Sequence, residues 1–124
     1  MAEVAGFLCL TLQYQNDISI CDMNISRIAT QQHSLLRQST SLADDKQSEL
    51  SQISQDSPDY YAKREEIKDK YEANERKMKE LEDELTMELD DWQARREMDQ
   101  QYLQAFQSGL QDGLSKSFAP FPNQ

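Results

Sequence analysis

The sequence predicts an all-α fold: a long antiparallel two-helix hairpin of the coiled-coil kind, ending in a short extended C-terminal tail. Apolar residues recur at alternating steps of three and four along two long stretches, the pattern of a helix that buries one stripe. Glycine and proline, three of each in 124 residues, are nearly absent from those stretches. The one strong break, Gln55-Asp56-Ser57-Pro58-Asp59-Tyr60, falls near the middle of the chain. Pro58 lacks a backbone N–H and fixes its own φ, which suits the first position of a new helix and no position inside an old one. Asp56, Ser57, Pro58 and Asp59 are therefore read as the hairpin turn, with Ser57 as N-cap and Asp59 placing negative charge in the first helical turn.

The first helix is expected over about 4–54. Its seam runs through Val4, Phe7, Tyr14, Ile18, Cys21, Ile25, Ile28, Leu35, Leu42 and Ile53, with Thr11, Gln32, Ser39, Lys46 and Glu49 as polar members. Gln38 to Ser54 is rich in Ser and Gln, which support a helix weakly, so fraying toward the turn is expected. The turn is placed at 55–57 and the second helix at about 58–116, with a seam of Tyr60, Ile67, Tyr71, Asn74, Met78, Leu81, Leu85 and Trp92. Asp59/Lys63, Glu66/Lys70, Glu72/Arg76 and Glu75/Lys79 each set an acid four residues before a base, the stabilising order on a helix. Glu80 to Asp91 then holds seven acids and no base. Beyond Trp92 the apolar period lengthens toward eleven residues, so the supercoil should straighten. Residues 117–124, with Pro120 and Pro122, are expected as an extended apolar tail.

Setting Ile53 opposite Tyr60 fixes a trial register. It brings Leu42 to Tyr71, Leu35 to Met78, Ile28 to Leu85, Cys21 to Trp92 and Phe7 to Phe106. It also places Ser39 against Asn74 and Glu49 against Arg64, two polar matches, and less comfortably Tyr14 against Asp99. Both chain ends then lie at one end of the rod. Val4, Phe7, Leu8, Leu10 and Leu12 meet Tyr102, Leu103, Phe106, Leu110, Leu114, Phe118 and Phe121 there, more apolar side chains than a two-stranded seam can cover. An uncovered patch of that kind marks an assembly interface.

Composition narrows the function. A net charge of −10 argues against nucleic acid and anionic membranes, which call for an excess of Lys and Arg. No stretch is long and apolar enough to span a bilayer, and no cleavable signal is visible, so a cytoplasmic location or export without a cleaved signal peptide is expected. Cys9 and Cys21 would sit about 18 Å apart on one helix, too far to bridge, and both are expected as small buried hydrophobes. His33 is the only histidine and lies off the seam. No catalytic, metal or cofactor constellation emerges, and the chain reads as a non-enzyme without cofactors.

Two long helices paired only with each other bury little surface within one copy, so a homo-oligomer or filament is expected, with the apolar end as the contact. In layout the chain resembles the filament and needle subunits of type III secretion systems and the terminal-helix core of flagellins. That resemblance implies a structural, self-assembling subunit with both termini in the polymer core. The alternatives are an acidic coiled-coil chaperone or adaptor that captures a partner protein helix, or a small homo-oligomeric scaffold.

Overall fold

The computed structural model describes the backbone from Ala2 to Phe118, and side-chain surroundings for 5, 6 and 8–109. Two long helices, α1 (Ala2–Ser51) and α2 (Tyr60–Phe118), pack against each other, and the described residues contain no strand. The chain divides into two compact units. Unit 1 joins 1–26 to 90–124, and unit 2 is the continuous stretch 27–89.

α1 reaches further at its start and ends earlier than expected, with helix through the Ser- and Gln-rich stretch as far as Ser51. Hydroxyls there turn back onto their own helix: Thr40 donates to the Leu36 carbonyl at 2.9 Å and Ser51 to the Ser48 carbonyl at 2.8 Å. The last bonds tighten from the four-residue to the three-residue pattern, Gln52 to Glu49 and Ile53 to Leu50, at 3.3 and 3.4 Å. The helix then stops.

The link is eight residues, 52–59, rather than three, and Pro58 does not open α2. Two tight turns follow one another, closed by Ser57 N–H to the Ser54 carbonyl and Tyr60 N–H to the Ser57 carbonyl, both at 3.1 Å. Pro58 occupies the second position of the latter turn, where its fixed φ is equally at home. Asp59 takes the capping place given above to Ser57, because its carbonyl accepts the first helical bond, from Lys63 N–H at 2.9 Å. The Ser57 hydroxyl donates to the Asp59 carboxylate, and that bond, with Lys63 beside it, holds the carboxyl below its ordinary range. At the other end, residues 117 and 118 belong to α2, not to a tail. The remaining tail, 119–124, lies outside the described residues.

In unit 2 the seam is displaced by about a helical turn from the trial register. Ser39 meets Met78 (Oγ to Sδ, 3.2 Å) instead of Asn74, which is exposed. Glu49 pairs with Lys70 at 2.7 Å instead of Arg64, and Lys46 with Glu75 at 2.9 Å. Leu42 shares a groove with Met78, and Leu35 one with Leu81 and Leu85. The long link causes the shift. Ile53 folds back beside Ile67, so α2 has run more than two turns before Lys70 faces the end of α1. Ile28, Leu35 and Tyr71 are buried, Leu42, Ile53, Tyr60, Ile67, Met78 and Leu85 half-buried, and Leu81 is exposed at the seam's margin. Two of the four expected intrahelical ion pairs form, Asp59–Lys63 and Glu72–Arg76. Lys70 and Glu75 pair across to α1 instead.

Replacing Pro58 by Ala is expected to leave helix content and small-angle scattering unchanged, since seven further link residues still break the chain, and to lower stability by about 0.5 kcal/mol through a looser unfolded state. Gly6 stands in a helix with open space where a Cβ would go, so Gly6→Ala is expected to raise stability by about 0.5–1 kcal/mol in urea melts.

Candidate assembly surface

Unit 1 holds the residues singled out for assembly, and α1 gives them two faces. Thr11, Tyr14, Ile18, Cys21 and Ile25 recur at steps of three and four toward α2, with Thr11 and Cys21 buried and the others half-buried. Tyr14 stacks on both Tyr102 and Phe106, each ring 5.5 Å away. The trial register set Tyr14 against Asp99 and Cys21 against Trp92. The observed partners lie three to seven residues further along α2, where Tyr14 gains an aromatic stack in place of a carboxylate neighbour.

The opposite face of α1 is the exposed one among the described residues. Leu8 and Leu12 keep 48% and 64% of their surface exposed, and the same stripe continues to Ile20 and Met23 at 39% and 73%. Across on α2, Met98 and Tyr102 are also exposed. Leu10, Leu103 and Phe106 are half-buried, so part of the expected interface is already used inside the hairpin. Cys9, expected as a buried hydrophobe, is exposed on the outer face. The side chains of Val4, Phe7, Leu110, Leu114 and Phe118, and all of Phe121, lie outside the described residues. Residues 20 and 23 were missed by sequence reasoning. Their signal was there: they continue the steps set by Leu8 and Leu12, but polar Asn16 and Ser19 stand between.

Between the two helices of unit 1 sits a polar cluster that the sequence did not reveal. Arg95 donates from Nε to Asp17 Oδ2 at 2.9 Å and from a terminal nitrogen to Oδ1, and Arg96 pairs with Asp22. The Cys21 thiol lies 4.0 Å from a carboxylate oxygen of Asp17 and of Asp99. Asp99 is buried, and burial, followed by its hydrogen bond to Asp17, pushes its carboxyl up to about 6. Asp17 moves the opposite way, held down first by Arg95 and then by the Asp99 proton. Burial, with the Asp17 charge beside it, raises the Cys21 thiol. Below about pH 6 the proton of the pair therefore rests on Asp99.

Asp17, Cys21 and Asp99 are the one group of potential metal ligands this close among the described residues. Their chemistry suits a cation poorly, because Arg95 already neutralises Asp17, and the thiol is held in its protonated form. His33 is exposed and has no part in the cluster. No helix among the described residues is long and apolar enough to cross a membrane. No family model, curated protein or solved structure matches the chain. Its class rests on the fold, an all-α hairpin of two long helices.

The acid pair sets a pH dependence. The folded value of Asp99 is raised from its ordinary 3.8 to about 6, so its contribution to stability is complete below the ordinary value and lost as pH rises through about 6. Asp17 is lowered, and its contribution disappears as pH falls below the ordinary carboxylate range. Thermal melts followed by ellipticity should therefore show a midpoint a few degrees higher at about pH 5 than at about pH 7.5. Asp99→Asn, which keeps a donor toward Asp17 and cannot ionise, should erase most of that difference by stabilising the protein at the higher pH.

Proposed function

We propose that the protein is a non-catalytic structural subunit that assembles with copies of itself, as a filament subunit does, through the apolar surface of unit 1. The observation that carries this is the exposure of Leu8, Leu12 and Tyr102 in a chain of net charge −10. Large apolar side chains grouped on an otherwise charged surface mark contact sites on soluble proteins. A second feature agrees. Cys21, Ile28, Leu35 and Tyr71 are the buried hydrophobics among the described residues, a small core for a chain of this length, and association supplies the missing burial.

Sedimentation and negative-stain microscopy over a wide concentration range test the proposal. Growth without a fixed end point is expected of a filament subunit. A constant dimer or tetramer favours a scaffold instead, and a strict monomer removes the proposal. Leu8→Gln combined with Tyr102→Gln should weaken association by at least tenfold per side chain, the equivalent of about 1.5–3 kcal/mol of lost apolar burial each, with helicity unchanged.

A further inference from the structure

We infer that one of the contacts between copies is the outer face of α1, laid against the same face of a second copy with Asn16 on the two-fold axis. This rests on the self-assembly proposed above and names one of its surfaces; being two-fold, it joins copies in pairs, and growth beyond pairs uses a second contact. Ala5, Leu8, Leu12, Asn16, Ser19 and Met23 are spaced three or four residues apart and all exposed, a complete helix-packing stripe on the side of α1 turned away from α2.

The occupant follows from charge and from Asn16. The chain carries −10 overall, so most of its surface repels a second copy, yet none of the residues on this stripe is charged. The two acids interspersed with it, Asp17 and Asp22, are held by Arg95 and Arg96 of the same copy. The stripe is thus a neutral strip on which like molecules meet without repulsion. Asn16 is its one amide, and an amide buried at a contact must find a partner. Placed on the axis, it meets its own counterpart, and the two amides satisfy each other. In a register that sets it against Leu8, Leu12 or Met23 of the second copy it loses that bond. An amide in a largely apolar stripe favours one register in this way.

Size is consistent with a real but modest contact. The stripe spans about 27 Å of helix at 1.5 Å per residue, and covering it on both copies buries on the order of 1,000 Å², the lower edge of specific interfaces.

Cross-linking tests the geometry. In full-length protein carrying Cys9→Ser, Asn16→Cys is oxidised with copper phenanthroline at a concentration where the wild type is associated. Gln93→Cys, an exposed site on α2, serves as the comparison. Residues on a two-fold axis come within disulfide reach whichever way the helices run, so the Asn16→Cys protein should be mostly covalent dimer on a non-reducing gel, and the Gln93→Cys protein mostly monomer. Leu12→Glu should independently lower association by at least tenfold with the far-UV spectrum intact. If the wild type associates but Asn16→Cys cross-links no better than Gln93→Cys, this face is wrong and assembly stands on another surface. If Leu12→Glu associates as the wild type does, the face is equally excluded. A wild type that stays monomeric overturns both the face and the assembly beneath it.

Discussion

Each helix here has a single neighbour, and that constraint governs most of what is observed. With about 3.6 residues per turn, only one narrow stripe of a helix can face one partner, so most side chains must meet water or another molecule. Unit 2 answers this largely with charge, although Leu36, Tyr61 and Met87 also stay exposed there. Arg27–Glu88, Lys46–Glu75 and Glu49–Lys70 flank its buried residues, and Lys63, Arg76 and their acids clothe the rest of α2. Unit 1 does not resolve it, for the outer side of α1 stays apolar.

The bridges matter for alignment more than for strength. Exposed pairs of this kind contribute a few tenths of a kcal/mol at best. Sliding one helix past the other, however, brings acids to acids along a chain with 23 of them, and that penalty falls on every wrong alignment together. Met78 under Ser39 and Ile53 beside Ile67 complete the choice of register in unit 2.

The helices and the break were legible in the sequence because their signals are local: a period, the scarcity of Gly, and a Pro preceded by Ser and Asp. Register was not legible. Seam positions such as Ser39, Gln32 and Asn74 are polar enough that several alignments look equally good, and the deciding quantity, the length of the link, depended on where a Ser- and Gln-rich helix would let go. Cys21 could be placed in the seam from spacing alone. Asp99 could not be assigned its role, since its proton depends on Asp17, 82 positions earlier on the other helix, and on how Arg95 divides its charge. Leu8 and Leu12 stood out by sequence, whereas Ile20 and Met23 acquired meaning only once their side of α1 was found uncovered.

One indole carries a practical consequence. Trp92, the sole tryptophan, lies in unit 1 with the Arg95 guanidinium 5.2 Å from its ring, and unit 2 has none. Its fluorescence therefore follows one unit alone, while ellipticity averages the backbone of both. Any gap between the two unfolding curves measures how far one half of the molecule can melt while the other holds, a direct optical reading of cooperativity along paired helices.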